Sequence, residues 1–369
     1  MTRPRAPLAA AAIDLPAGSP GGSVELFHDL YTGDEPLVPA KPLMLSPAGS
    51  SAIVPREIGL LDVPGKCLDG QGFWAYVAAL QRSMLSHLAA HQVDVLHLHH
   101  LAFGAAPALV RAFPRHPSIA LVHGTDLLFA ATHGTQRQVL LATARGANII
   151  CAPTPAMADH LLRIAPRTDR RKIVLVPWGV PDHLLAAPPP ALGPRHGGPL
   201  RLLYAGRLTP EKGGRALAHT AAAVSGVEWS IAAPEAEYAT LLPMLRELGV
   251  RVSYLGWIPR RKLWQTFGQH DALVMPSTTL EAFGLVAVEA QACGLPVLYQ
   301  PVPGLSDTIG DSGLPVDLSS PHALARTLAA LVREPGTLEE VRRRGYRNAR
   351  RFPLSSTAEA LNTLGAQLA

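Results

Sequence analysis

LRLLYAGRLTPEKGG, residues 200–214, is a short apolar run that stops at Gly206 and passes into a turn carrying Arg207, Pro210, Lys212 and two glycines. The run predicts a buried strand, Leu200 to Ala205, and the turn predicts the entry to a helix. The same unit recurs on both sides. Upstream lie VDVLHL (93–98), IALVH (119–123), NIICA (148–152) and KIVLV (172–176); downstream lie EWSIA (228–232), VRVSYL (250–255), ALVM (272–275) and PVLY (296–299). Buried strands separated by helical stretches argue for parallel sheets of βαβ units. Between the two sets, residues 184–199 read LLAAPPPALGPRHGGP, whose three consecutive prolines and Gly-Gly pair fit neither a helix nor a central strand. The expected fold class is α/β, with two Rossmann-like doubly wound domains facing each other across a cleft. The expected boundaries are 1–184 for the first domain, 185–199 for a linker, 200–350 for the second domain and 351–369 for a closing helix.

Composition narrows the function. The chain has 369 residues, 48% of them hydrophobic and 17% charged, which is globular rather than disordered. Its apolar runs are too short to cross a bilayer. The stretch leading to Pro16 contains Asp14 and resembles a first strand more than a cleavable signal, so a cytoplasmic location is expected. Cys67, Cys151 and Cys293 are odd in number and lack CxxC spacing, which excludes a disulfide scaffold and a zinc knuckle. Thirty-three Lys and Arg against 28 Asp and Glu give +5, a mild charge, and aromatics are only 5%. Nucleic acid is therefore not the expected partner. The stretch 71–91 places Phe73, Val77, Leu80, Met84 and Leu88 at helical spacing, as for a helix packed on a sheet. The arginines between Arg342 and Arg351 read as a solvated helical face.

Three turns carry the chemistry. In PAGSPGGS (16–23), Gly21 and Gly22 allow close backbone approach just before a helix N-terminus, which suits a phosphate. In GRLTPEKGG, Arg207 and Lys212 share one loop at the carboxyl end of a parallel strand, where open α/β sheets bind ligands. A guanidinium fork and a lysine point charge on one loop suit a diphosphate. In PSTTLEAFGLVAVEAQAC (276–293), a helix opening near Gly284 offers the Gly284 and Leu285 amides to a second phosphate. Glu281 precedes that helix and Glu289 lies inside it, where a buried glutamate needs a partner that sugar or ribose hydroxyls would supply. His97, His99 and His100 read as structural polar histidines, because no Cys, Asp or Glu at a recognisable spacing completes a metal site.

These motifs resemble the family 4 glycosyltransferases of GT-B fold, which carry two glutamates separated by seven residues and an Arg…Lys loop before them. The resemblance extends to VDVLHLHH, LVHGTD, IICAPTPAMADHLL, KIVLVPWGVPD and LGWIPRRKLWQTF, in the family's order. It implies a retaining, metal-independent transferase that moves a sugar from a nucleotide-diphosphate donor, UDP-linked by preference, to a hydroxyl. Arg207 and Lys212 would hold the diphosphate, with backbone amides at Gly21, Gly22, Phe283, Gly284 and Leu285 around it. Glu281 would bind donor sugar hydroxyls, Glu289 the ribose, and Trp257 and Ile258 the base. His123 matches the family's active-site histidine, and Asp126 would bind acceptor hydroxyls or orient His123. Trp178 stands where the family has Asn.

The same resemblance implies no cofactor beyond the nucleotide sugar and no metal; the absence of a D-x-D triplet agrees. A small soluble hydroxylated acceptor is expected, and the Arg- and Pro-rich composition of a GC-rich genome suggests natural-product assembly of the aminoglycoside kind. Open alternatives are a transferase acting on lipid or polysaccharide at a membrane surface, a GT-B epimerase or phosphorylase, and a non-catalytic nucleotide-sugar binder. The oligomeric state is left open.

Overall fold

A computed structural model describes residues 6–47, 54–190, 198–334 and 336–369. The chain divides into two compact units, Met1–Trp178 with Leu354–Ala369, and Gly179–Pro353. The break falls ahead of the expected position after residue 184. Its cause is local. Val180 donates its N–H to Phe352 and bridges Pro353, and the helix Asp182–Ala186 packs on the helix Leu285–Ala292, all within the second unit. Residues 191–197 of the expected linker lie outside the described residues, as do residues 1–5.

The first unit is built on seven parallel strands: β1 (Ala9–Pro16), β2 (Ala40–Leu45), β3 (Gly59–Leu61), β4 (Val95–His99), β5 (Ser118–Leu121), β6 (Ile149–Ala152) and β7 (Ile173–Leu175). Their order across the sheet is β3-β2-β1-β4-β5-β6-β7. β1 is buried along Ala9–Ile13 because alanines on both faces admit close helices, including Gly22–Tyr31. The helix Gly72–His87 buries Phe73, Val77, Leu80 and Met84 at the spacing read from sequence. The closing helix Leu354–Leu368 belongs to this unit. It packs on Gly22–Tyr31, and its Thr357 hydroxyl donates to the Pro177 carbonyl at 2.8 Å.

The second unit carries six parallel strands: β8 (Leu200–Ala205), β9 (Val227–Ala232), β10 (Val252–Tyr254), β11 (Ala272–Met275), β12 (Val297–Tyr299) and β13 (Leu314–Pro315), ordered β10-β9-β8-β11-β12-β13. Leu202, Tyr204, Trp229, Ile231 and Val274 of this sheet share one core with Leu217, Leu241, Leu324 and Leu328 of the surrounding helices. In each unit the strand order reverses at the first strand. The reversal lies between β1 and β4 in the first unit and between β8 and β11 in the second. The crevice outside the strand carboxyl ends at such a reversal is where doubly wound sheets bind ligands.

Candidate active site

In the second unit the two loops at the reversal are tied together. β8 ends at Ala205, Gly206 follows with φ 150°, and a single 3-10 turn, Pro210–Lys212, closes on Gly213 in the left-handed region. The Thr278 N–H donates to the Glu211 carbonyl at 2.9 Å, and the Thr278 hydroxyl to the Pro210 carbonyl at 3.1 Å. The loop after β11 is thus laced to the loop after β8. Gly213 is required there, since a Cβ would stand 1.9 Å from the Pro276 carbonyl oxygen.

That lacing brings two of the expected residues together. Lys212 Nζ donates to both carboxylate oxygens of Glu281, at 2.7 and 2.6 Å, and the Ser277 hydroxyl donates to Oε2 at 3.1 Å. Glu281 is buried, 7% exposed, whereas the Lys212 side chain keeps 28% exposure. Glu281 is held from behind as well: its N–H donates to the Pro303 carbonyl at 3.1 Å, and Gly304, φ 82°, leaves no room for a Cβ beside the Glu281 carbonyl. Arg207 stands on the same β8 loop with a 3.8 Å ion pair to Glu211, and its carbonyl accepts from the Tyr204 hydroxyl. Gly284, φ 80°, caps the helix Leu285–Ala292 without any side-chain cap. The first N–H groups of a helix have no intrahelical acceptor, and this helix starts close to Glu281: a Cβ at Gly284 would stand 3.6 Å from the Glu281 side chain.

Glu289 departs from expectation. The Arg260 guanidinium donates to Oε1 through Nε at 2.7 Å, and the Trp264 indole N–H donates to Oε2 at 3.1 Å. Its partners are therefore protein groups of the helix Arg260–Phe267, and the carboxylate, 4% exposed, is already neutralised before any ribose arrives. Trp257, 43% exposed, and Ile258 lie just before that helix, after β10. The Phe283 ring is buried edge-on against Phe352 at 5.0 Å, which leaves its backbone for the expected amide contact.

In the first unit Gly21 caps the helix Gly22–Tyr31 with φ 143°, a conformation that favours glycine, and no side chain caps the helix. His123 lies two residues beyond β5, 9% exposed. Burial pushes its imidazole down to about 3, so the ring is neutral near pH 7. Asp126 is fully buried, and its carboxylate accepts the backbone N–H groups of Leu101 at 2.8 Å, Leu127 at 3.1 Å and His123 at 3.3 Å. It ties the loops after β4 and β5 together and holds His123 by its backbone, the second of the two expected roles, while its burial keeps it from the first. Burial raises its carboxyl to about 6, against the pull of those N–H groups.

Two sets of contacts were not read from the sequence. Asp14, fully buried at the end of β1, accepts from the Tyr76 hydroxyl and from the Gly104 N–H at 2.9 Å, with Lys66 Nζ 3.6 Å away. Desolvation raises its carboxyl despite the nearby lysine. A chain of hydrogen bonds also links His97 Nδ1 to the Tyr31 hydroxyl, that hydroxyl to His99 Nε2, and His99 Nδ1 to His123 Nε2, at 2.9, 2.9 and 3.0 Å. His97 and His99 were legible as polar residues at a strand end and His123 as the family's histidine. Tyr31, 66 residues from His97, gave no sequence signal.

Among the described residues, no helix is long and apolar enough to cross a membrane. Comparison with known proteins covers both units. A model for Glycosyltransferase Family 4 matches residues 41–184, and one for glycosyl transferases group 1 matches residues 193–352. The chain is 28% identical over 343 residues to a D-inositol 3-phosphate glycosyltransferase of Corynebacterium glutamicum, covering 84% of this chain and 81% of that protein. Among solved structures, it is similar to a sucrose-phosphate synthase of Thermosynechococcus elongatus, with TM-score 0.78, 19% identity and 99% of each chain covered. It is also similar to HepE of Anabaena, solved in complex with UDP and glucose, with TM-score 0.76, 18% identity and 98% of this chain and 100% of that chain covered. At such identities the structural likeness speaks for fold alone, and it agrees with the two parallel doubly wound sheets and with the sequence matches to each half. The chain belongs to the family 4 glycosyltransferases and has the GT-B fold.

Proposed function

We propose that the protein is a retaining, metal-independent glycosyltransferase that moves a sugar from a UDP-sugar to a hydroxyl of a small, soluble, polyhydroxylated acceptor. The observation that carries this reading is the cluster at the reversal of the second sheet. Lys212 grips Glu281 there, Gly284 opens a helix with no side-chain cap three residues beyond Glu281, and Arg207 stands on the same loop as Lys212. A departing diphosphate needs positive charge fixed in advance, and the lysine and helix terminus supply it without reorganising. Glu281 keeps Lys212 in place and offers carboxylate oxygen to sugar hydroxyls. UDP bound by HepE supports the nucleotide, and the cyclitol phosphate in the name of the Corynebacterium relative supports a small polar acceptor. His123 stands at the corresponding strand ends of the first unit, and its neutral ring suits hydrogen bonding to sugar oxygens. Assembly of an aminoglycoside-type natural product is the setting we favour.

The test is a mass-spectrometric screen of UDP-, GDP- and dTDP-sugars against pooled cyclitols, aminocyclitols and sugar phosphates, with the anomeric configuration of any product read by NMR. A product of retained configuration that forms equally well in EDTA is the expected result. Inverted configuration, or activity lost to EDTA and restored by magnesium or manganese, contradicts the proposed mechanism.

A further inference from the structure

We propose that Tyr31, His97 and His99 are positioning residues that hold His123 in its Nδ1–H tautomer, so that its ring presents a standing hydrogen-bond donor to a ligand oxygen. Tyr31, His97 and His99 are each no more than 1% exposed, and the Tyr31 hydroxyl lies 2.9 Å from both His97 Nδ1 and His99 Nε2. A phenol has one proton. For both contacts to be complete hydrogen bonds, one histidine donates to the oxygen and the oxygen donates to the other. Two polarities satisfy this condition.

They differ at His97 Nε2, a buried atom with no hydrogen-bond partner among the described residues. If the protons run from His123 toward His97, Nε2 carries a buried N–H with no acceptor. If they run the other way, only a lone pair is left unused there. Orphaned buried N–H groups are rare because their desolvation is not recovered, so the second polarity is preferred. His97 then donates from Nδ1 to Tyr31, Tyr31 donates to His99 Nε2, and His99 donates from Nδ1 to His123 Nε2. His123 accepts at Nε2 and carries its proton on Nδ1. Burial lowers all three imidazoles, His97 to about 4 and His123 to about 3, which agrees with a chain of neutral rings. Edge-on packing of Phe27 against His99, with ring centroids 4.9 Å apart, and stacking of His99 on His123 at 5.1 Å hold the ring planes.

A ring so fixed donates to a sugar or phosphate oxygen and does not act as a base through Nδ1. That consequence rests on the active-site reading of His123, whereas the proton polarity does not. The experiment is nitrogen NMR of the wild-type chain labelled with [15N]histidine, with His97 and His123 assigned by His→Gln variants. The expected spectrum has pyrrole-type Nδ1 and pyridine-type Nε2 at both residues. Nε2–H at either residue overturns the polarity. In the second arm, Tyr31→Phe lowers kcat about tenfold or more, as for other outer partners that orient an imidazole, with donor KM unchanged and cooperative melting retained. Wild-type kcat in that variant overturns the positioning role. Full turnover in His123→Ala would instead remove His123 from the active site, and the wild-type spectrum still decides the tautomer should Tyr31→Phe fail to fold.

Discussion

At the scale of the residue, charge is settled in pairs, and the pairs divide the two family glutamates into different roles. Glu281 is gripped by a lysine that keeps some exposure, so both can turn to a ligand. Glu289 is enclosed with Arg260, the two side chains 6% and 12% exposed, and that pair behaves as structure. Breaking a buried ion pair from one side leaves an uncompensated charge that costs about 3 kcal/mol. Arg260→Met is therefore expected to lower unfolding stability by about that amount, and adding Glu289→Gln to recover most of it, measured by denaturant titration as a double-mutant cycle. Additive losses would show that the two side chains do not depend on each other. Sequence reading reached Glu289 and its need of a partner but missed Arg260. The distance along the chain, 29 residues, and two adjacent arginines at 260 and 261 hid which side chain turns inward.

At the scale of the element, the strands legible in sequence were short stretches rich in apolar and β-branched residues, tolerant of a single polar or charged side chain such as Arg201 or Ser230. β8 and β11 match their predicted limits, and β4, β5, β6, β7, β9, β10 and β12 shift by a residue or two at their ends. β2, β3 and β13 escaped. β2 opens with Ala40-Lys41-Pro42, β3 is three residues long and β13 two, too short for any period to register. The loop joining β8 to its helix was legible as a site because Gly, Arg and Lys cluster there, but its lacing to the β11 loop is tertiary. Gly213→Ala tests that lacing. The left-handed backbone and the clash with the Pro276 carbonyl together cost about 3 kcal/mol. Gly249, φ 67° with open space around its Cβ position, serves as control and loses only about 1 kcal/mol on the same change. Equal losses in the two variants, followed by thermal denaturation, would mean that the two loops are not held against each other.

At the scale of the whole molecule, the buried histidines set the response to acid. His97, His99 and His123 are kept neutral by burial, with His97 lowered to about 4 and His123 to about 3 from an ordinary 6.5. The unfolded chain takes up protons at these rings first, so their stabilisation is whole above pH 6.5 and is lost as the pH falls toward 4. Asp126, raised to about 6, and Asp14, also raised by burial, act in the opposite sense, because the folded state protonates them first as pH falls. Three rings against two carboxyls leave a net loss, so the melting temperature is expected to drop between pH 6.5 and 4.5. A flat or rising profile would place these rings in a wetter setting.

On the proposed function, the reversal of the second sheet is a diphosphate site built on Arg207, Lys212 and a helix end. Titration calorimetry of UDP, GDP and dTDP into the wild-type protein and into Lys212→Ala tests it without knowledge of the acceptor. One charged hydrogen bond is worth about 1.5 to 3 kcal/mol, so the account predicts saturable binding of UDP to the wild type, weakened by about tenfold to a hundredfold in the variant. Failure of all three nucleotides to bind, or equal affinity for the two proteins, would contradict it.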